Sequence, residues 1–355
     1  MVKSFTSLVV MAMVVIISSP VMTSTLNSES EELMNYEETR NNVVKLWRQG
    51  NYQEAAKIYE KALPRFPEQT EEITFALAEL YLYLGEYEKC LDKFEYGQER
   101  KIMYSLWLNG DTWKPLEKYE RFTKIVEENK RLQAEATAKS SPQFRVIPPE
   151  NCAKEKEKKY PLIMVLHGWN DSLEILDKHW ESPIVRREFL LALVQSSQVV
   201  KVNQFCWDDM QLGRKEIQVI YKKIIETYPV DLQRVIIAGF SQGGSMALDI
   251  AMNAIIPVKG FVVLQPVLKL STDFNGKTLE RTLQQGLRGT IIASQNPDTL
   301  QEQEKMAVLS REMHLPYRYV ISGTGHWYPG DFLQQLNTAV EDIFYSDTRE
   351  KNQNK

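Results

Sequence analysis

The segment Ile237-Ala238-Gly239-Phe240-Ser241-Gln242-Gly243-Gly244-Ser245 decides how the second half of the chain is interpreted. It continues an apolar, β-branched run at residues 234–238 that predicts a short buried strand. Residues 246–252 follow it with strong helix formers at helical spacing. A strand, a Gly-x-Ser-x-Gly turn and a helix in this order predict a nucleophile elbow, a sharp turn that exposes a serine hydroxyl. Gly239 and Gly243 are expected where a Cβ would collide with neighbouring backbone.

Composition places few other limits on the chain. Its 355 residues, 43% of them hydrophobic and 25% charged, suffice for one large domain or two ordinary ones with a real core. A net charge of −4 gives no electrostatic reason to expect nucleic acid or an anionic membrane as a partner. Cys90, Cys152 and Cys206 are widely separated, so neither a thiolate metal site nor a disulfide framework is indicated, although one pair could form in an oxidising compartment.

The amino terminus has the pattern of a targeting segment. Lys3 precedes an apolar run at residues 8–17, and small residues suited to cleavage follow at 18–24. Because a bilayer requires about twenty apolar residues, we predict a cleaved signal peptide at residues 1–24 and an exported protein. An uncleaved membrane anchor is the alternative, since the cleavage site lacks a clean Ala-x-Ala.

A repeat occupies the next part of the chain. Residues 50–63 and 85–94 share Gly-x-Tyr, a small residue three positions on and an aromatic residue four beyond that. The pattern resembles the tetratricopeptide repeat, whose period is about 34 residues. Two copies are fewer than the three usually needed, so a helix predicted at residues 112–138 is expected either to cap them within a helical-repeat domain at residues 36–138 or to dock the repeats on the next domain. The repeats either bind a peptide or protein partner on a concave face or form a packing appendage that orients or shields the active site.

A mostly parallel sheet covered on both faces is predicted for a second domain at residues 144–345, followed by a polar tail at 346–355. Residues 144–147, stopped by two prolines, predict an edge strand. Short apolar runs then alternate with helical segments, which is typical of a parallel sheet. These runs are residues 161–166, 190–194, 235–238, 261–264, 290–293 and 317–321.

Three motifs after predicted strands resemble the α/β-hydrolases. They are His167-Gly168-Trp169, Gly239-Phe240-Ser241-Gln242-Gly243-Gly244 and Gly325-His326. The elbow string is most similar to the phospholipase/carboxylesterase branch, which includes acyl-protein thioesterase-like enzymes. The resemblance implies a doubly wound sheet and hydrolysis of carboxylic esters or thioesters, small-molecule or lipid, without a cofactor.

His326 is the predicted general base for Ser241. It follows the last predicted strand, on the sheet edge where open α/β sheets carry their sites, and the order Ser, acid, His is that of α/β-hydrolases. His167 is expected to brace its own loop, His179 lies in a polar stretch, and His314 precedes the last strand at its wrong end.

Asp298 is the predicted acid, because it is the only Asp between the strand at residues 290–293 and the next predicted strand at 317–321. Related hydrolases have Gly-x-x-Asp here, whereas this chain has Ser294-Gln295-Asn296-Pro297-Asp298. Glu302, Glu304 or a site with a weakened or absent acid therefore remain alternatives.

The oxyanion hole is predicted to use the backbone N–H groups of Trp169 and Gln242. Gly168, Phe240 and Trp327 are predicted to contact substrate. The aromatic residues near the site each either line an apolar acyl or aromatic pocket or belong to the core, and they are Trp169, Trp207, Phe240, Trp327 and Tyr328. The glycosylation sequon Asn170-Asp171-Ser172 falls in the same loop, where a glycan would obstruct the site. The pair Asp208-Asp209 has no nearby histidine and favours a solvated turn over a metal site.

Two other functions remain open on the sequence. A serine peptidase of the same fold shares Gly-x-Ser-x-Gly-Gly, although no propeller-like all-β domain accompanies it here. The hydrolase domain could also be inactive, with the repeats as the working part, and the irregular acid loop is the feature that favours this.

Overall fold

A computed structural model describes residues 35–106, 112–150, 152, 158–176, 179–267 and 276–353. The chain divides into two compact units, Met1–Leu132 and Gln133–Lys355. The predicted signal peptide lies outside the described residues. Within the described ranges, none of the helices is both long enough and apolar enough to cross a membrane.

The first unit is helical. Its helices are α1 (Tyr36–Arg48), α2 (Tyr52–Ala62), α3 (Thr70–Tyr83), α4 (Tyr87–Gln98) and α5 (Glu120–Lys139), the last of which continues past the boundary between the units. A capping box starts α1, since the Asn35 side chain accepts from the Glu38 N–H and the Glu38 carboxylate accepts from the Asn35 N–H.

The two Gly-x-Tyr motifs form equivalent turns between paired helices. Gly50 and Gly85 have φ angles of +75° and +74°, a left-handed conformation that favours glycine. The small residues Ala55 and Cys90 are fully buried, as helices that approach closely require. The identification of these pairs as tetratricopeptide repeats, and of their surface as a partner-binding face, stays a prediction.

The predicted helix at residues 112–138 starts later than expected. Residues 112–119 form turns around a 3₁₀ helix, Lys114–Leu116, and α5 begins at Glu120. Pro115 lies in the first turn of this 3₁₀ helix, where a residue without an N–H is tolerated, and the apolar spacing alone does not reveal the break between Leu116 and Glu120. Trp113 and Leu116 are nevertheless buried in the core of the unit.

Glu79 makes the stability of the protein depend on pH. This carboxyl lies in α3, and burial raises its pKa from 4.5 to about 7. The additional cost of burying the ionised carboxylate is therefore absent at low pH, where the group is protonated, and it destabilises the folded state increasingly as pH rises above 4.5. We expect Glu79→Gln to stabilise the full chain by under ~1 kcal/mol at pH 5 and by about 3 kcal/mol at pH 8. Denaturant unfolding of both proteins across this pH range measures the difference, and a constant difference would contradict the assignment.

The described residues of the second unit are built on a mostly parallel sheet of seven strands. The strands of the unit are β1 (Gln143–Ile147), β2 (Tyr160–Leu166), β3 (Leu190–Gln195), β4 (Gln198–Lys201), β5 (Gln204–Cys206), β6 (Val230–Phe240), β7 (Gly260–Leu264), β8 (Arg288–Ala293) and β9 (Tyr317–Ile321). The large sheet has the order β1-β3-β2-β6-β7-β8-β9. Only its edge strand β1 is antiparallel, and it pairs with β3. All six predicted apolar runs lie in strands of this sheet.

Helices cover both faces of the sheet. They are α6 (Leu173–Leu176), α7 (Pro183–Glu188), α8 (Met210–Thr227), α9 (Gln242–Met252), α10 (Gly276–Gln284), α11 (Pro297–Glu312) and α12 (Phe332–Gln353). Alternate residues of β2 enter different cores: Leu162 and Met164 pack with α8 and α9, whereas Ile163 and Val165 pack with α7 and α12. This double burial explains why the strands are continuous apolar runs. Because α12 ends at Gln353, residues 346–353 of the predicted tail are helical.

A small hairpin was not predicted. Strands β4 and β5 pair with each other as a separate two-stranded sheet, joined by a turn with Asn203 at φ 55°. They are four and three residues long, too short for a clear alternating pattern. The hairpin is hydrogen-bonded to the loop after β2. The Phe205 carbonyl accepts from the Asn170 and Asp171 N–H groups, and the Phe205 N–H donates to the Asp171 carbonyl.

Candidate active site

Ser241 occupies a strained turn between β6 and α9. Its φ of 53° and ψ of −119° are unusual for a residue with a side chain, and its N–H donates to the Leu264 carbonyl at 2.9 Å. Surrounding structure must hold such a conformation, which costs about 1–3 kcal/mol. The turn therefore has the backbone geometry of a nucleophile elbow, with the serine at the start of a buried helix.

Two glycines allow the elbow to pack against β2. A Cβ on Gly239 would lie 2.3 Å from the Gly243 carbonyl oxygen, and one on Gly243 would lie 2.2 Å from the His167 carbonyl oxygen. Both obstacles are backbone atoms, which cannot move aside as a side chain could. The start of α9 thus approaches the end of β2 as closely as glycine permits.

His326 lies beside the serine. Its Nε2 is 2.7 Å from Ser241 Oγ, a distance at which the hydroxyl donates to an unprotonated imidazole nitrogen. The Phe240 ring packs against the imidazole with centroids 5.1 Å apart. His326 belongs to the loop after β9, so strand ends β6 and β9 supply the two groups from opposite sides of β7 and β8.

His167 has a structural environment instead. The Ser196 N–H donates to its Nε2 at 3.2 Å, so the proton resides on Nδ1, which donates to the Gly168 carbonyl at 2.6 Å. Complete burial lowers the pKa of His167 to about 4, so the ring stays neutral near neutral pH. Its ring also stacks on Trp207, whose Nε1 donates to the His167 carbonyl.

The two remaining histidines lie in other surroundings. His314 is in a left-handed turn before β9, at the opposite end of that strand from His326. His179 stacks on Tyr328, with ring centroids 4.0 Å apart, and meets Trp327 edge-on. Sequence alone does not show this proximity, because Trp180, the neighbour of His179, donates a hydrogen bond to the Tyr328 hydroxyl across 148 positions of the chain.

The acid is the least described member of the site. Asp298 lies in the first turn of α11, directly after β8, and its side chain lies outside what the structure describes. Glu302 forms an ion pair with Lys305 at 2.8 Å, and Glu304 is exposed. The Nδ1 atom of His326, which an acid would have to reach, is buried. Asp298 therefore remains the predicted acid.

The loop after β2 is held by hydrogen bonds on both sides of Trp169. The Asn170 N–H donates to the Phe205 carbonyl at 2.9 Å, and the Gly168 N–H points to Asp171 Oδ2 at 3.4 Å. Asp171 also accepts from the Ser172 N–H at 2.6 Å, and burial raises its pKa to about 6. Through these hydrogen bonds the buried Asp171 carboxyl holds the loop that is predicted to supply an oxyanion donor. Its position within a glycosylation sequon gives no indication of this role.

The side chain of Gln242 connects the residue after the nucleophile to a neighbouring segment. Its Oε1 accepts from the Trp207 N–H at 2.7 Å, and its Nε2 donates to Asp208 Oδ1 at 2.6 Å. These bonds attach the first turn of α9 to the segment between β5 and α8. As the N-cap of α8, Asp209 accepts through its side chain from the N–H groups of Gln211 and Leu212. The acidic pair therefore has two structural roles, neither of which the sequence analysis identified.

The residues predicted to contact substrate lie around the serine with different accessibility. Trp327 is 46% exposed, whereas Phe240 is 6% exposed and packs against both Trp327 and Tyr328. A Cβ on Gly168 would lie 3.1 Å from the Phe240 ring, so glycine leaves room for that ring. Trp207 is buried in the hydrophobic core between the sheet and helices α8 and α9, which agrees with its interpretation as a core residue.

Within the described ranges, no cluster of three or more His, Cys, Asp and Glu side chains has the arrangement of a metal site. Cys90, Cys152 and Cys206 all carry free thiols.

Comparison with known families agrees with this fold. A family model described as phospholipase/carboxylesterase matches residues 210–314, from the start of α8 to the turn before β9. The match includes Ser241 and Asp298 and ends before His326. Together, the sheet topology, the elbow and this match support a hydrolase of the α/β-hydrolase fold, similar to carboxylesterases. None of the curated proteins matches the chain.

Several solved structures are similar to the chain. An uncharacterized protein from Bacillus cereus ATCC 10987 is 23% identical with a TM-score of 0.48, and the match covers 89% of this chain and 100% of that one. An S-formylglutathione hydrolase from Staphylococcus aureus is 18% identical with a TM-score of 0.41, covering 57% of this chain and 90% of that one. A phospholipase/carboxylesterase from Dyadobacter fermentans DSM 18053 is 14% identical with a TM-score of 0.39, covering 57% and 96%.

Proposed function

We propose that the chain is a serine hydrolase that cleaves carboxylic esters, with thioesters as a related substrate class, through an acyl-enzyme. The observation that carries the proposal is the 2.7 Å approach of His326 Nε2 to the hydroxyl of Ser241 in its strained turn. Ser241 Oγ attacks the carbonyl carbon while His326 takes the hydroxyl proton. His326 then gives that proton to the leaving alcohol and later activates the water that hydrolyses the acyl-enzyme.

The negative charge that develops on the carbonyl oxygen requires N–H donors. We assign these to the backbone of Gln242, the first residue of α9, and of Trp169 in the loop after β2. The first amides of a helix have no acceptor within the helix and point toward its N-terminal end, which favours an anion there. The exposed face of Trp327, together with Phe240 and Gly168, forms the wall for the apolar part of the ester.

An ester panel tests the proposal. p-Nitrophenyl esters of increasing acyl length, and a thioester of matched acyl group, are incubated with the full chain and with Ser241→Ala. We expect saturable hydrolysis of at least one ester by the wild type and only background rates from the variant. A folded wild type that hydrolyses no ester faster than Ser241→Ala would contradict the function.

Substitution of the predicted acid should lower the rate strongly. We expect Asp298→Asn to reduce kcat/KM by on the order of 10⁴-fold, because the imidazole loses the group that holds its tautomer and stabilises its charged form. Glu302→Gln and Glu304→Gln measured in parallel identify the acid by the largest loss. A near wild-type rate for Asp298→Asn with a large loss in either glutamate variant would reassign the acid.

A further inference from the structure

Three residues with side chains adopt left-handed backbone at the carboxyl edge of neighbouring strands. Asn170 follows β2 with φ 61°, Ser241 follows β6 with φ 53°, and Gln265 follows β7 with φ 47°. Such conformations are uncommon for residues other than glycine and persist only where the surrounding structure holds them. The first two belong to the proposed oxyanion loop and the nucleophile. Gln265 has no role in the proposed reaction so far.

Gln265 connects three elements of the site. It is completely buried, and its N–H donates to the Ile292 carbonyl of β8 at 2.7 Å. Its side-chain Nε2 donates to the Trp327 carbonyl at 2.8 Å. Because a carbonyl oxygen can only accept, the amide nitrogen rather than its oxygen must face Trp327. The Trp327 carbonyl belongs to the residue directly after His326.

We propose that Gln265 is a positioning residue that holds the loop carrying His326 at the distance from Ser241 that proton transfer requires. The inference rests on the proposed function. The end of β7 is fixed between β6 and β8, whereas His326 lies in a loop beyond β9 that must reach back across β8 and β7. A buried hydrogen bond to the neighbouring carbonyl supplies a fixed point for that loop. A displacement of about 1 Å between reacting groups can cost on the order of 10²-fold in rate.

Gln265→Met tests the donor, since methionine has similar length but no N–H. The variant leaves the Trp327 carbonyl without this donor, and we expect kcat for an ester to fall about tenfold. KM should change less than about twofold, because the substituted group positions the base rather than the substrate. The rate of Ser241 labelling by a fluorophosphonate should fall by the same factor as kcat, since both reactions need His326.

Gln265→Glu distinguishes the loss of the hydrogen bond to the Trp327 carbonyl from a change in side-chain packing at position 265. Burial raises the pKa of a carboxyl, so the introduced carboxyl is protonated at low pH and can then donate its O–H to the Trp327 carbonyl. Its ionised form has only acceptors and loses this bond. The labelling rate of this variant relative to the wild type should therefore be highest at low pH and fall as pH rises. The corresponding ratio for Gln265→Met should not depend on pH.

The outcomes separate this inference from the function on which it rests. A wild type that does not react with the fluorophosphonate overturns the proposed function. A reactive wild type together with a Gln265→Met variant of unchanged kcat and labelling rate overturns the positioning role alone. The positioning role is also overturned if the labelling rate of Gln265→Glu relative to the wild type does not change with pH. This measurement remains a test even if Gln265→Met does not fold.

Discussion

His326→Gln is expected to reduce kcat for ester hydrolysis by about 10⁴- to 10⁶-fold, the loss typical of removing the general base from a serine triad. The reason is the 2.7 Å contact between His326 Nε2 and Ser241 Oγ. Without that nitrogen, no group at this position accepts the hydroxyl proton as the serine attacks. Steady-state kinetics on the best ester of the panel measures the loss, with thermal unfolding to confirm that the variant folds.

His314→Asn is the matched control for this prediction. His314 lies at the opposite end of β9 from His326, in a left-handed turn that asparagine tolerates. Its substitution should leave kcat within about twofold of the wild type, as is usual for positions away from the site. A His326→Gln variant that folds and retains more than about a tenth of the wild-type kcat would remove His326 from the mechanism.

Gly243→Ala is expected to disrupt the elbow itself. Its Cβ would lie 2.2 Å from the His167 carbonyl oxygen and 2.4 Å from that of Leu166, so α9 and β2 must separate. Because these obstacles are backbone atoms of two consecutive residues at the end of β2, we expect a loss of more than ~3 kcal/mol in the free energy of unfolding, together with loss of esterase activity. Denaturant unfolding and the ester assay measure the two effects.

Gly330→Ala provides the comparison for that substitution. A Cβ at Gly330 meets nothing within 4 Å, and this glycine is not among those with left-handed backbone. We expect its free energy of unfolding to change by less than about 1 kcal/mol. Equal stability of the two alanine variants would show that the close approach of α9 to β2 is not required.

The elbow could be predicted because all its determinants are local. A β-branched run, glycines two positions either side of Ser241 and a helical pattern lie within a short stretch. The parallel sheet was predictable for a similar reason, since strands buried on both faces are continuous apolar runs. The position of His326 could be predicted from topology, because β6 and β9 run parallel and therefore end at the same edge of the sheet.

Features that depend on distant contacts could not be predicted in the same way. Gln265 is a single polar residue after an apolar strand, and its partner Trp327 lies 62 positions later. The β4–β5 hairpin is too short to show a period, and its contact with Asp171 connects separate loops. In the helical unit, apolar spacing alone extends a helix to residue 112, whereas residues 112–119 form turns and a 3₁₀ helix before α5 begins at Glu120.

The most direct measurement of the central claim is covalent labelling of the full chain with a fluorophosphonate, followed by mass spectrometry of the peptide that contains residue 241. We expect a single adduct on Ser241, formed at neutral pH and absent from both Ser241→Ala and His326→Gln. No adduct on a folded wild type, or an adduct that persists in Ser241→Ala, would show that Ser241 is not an activated nucleophile.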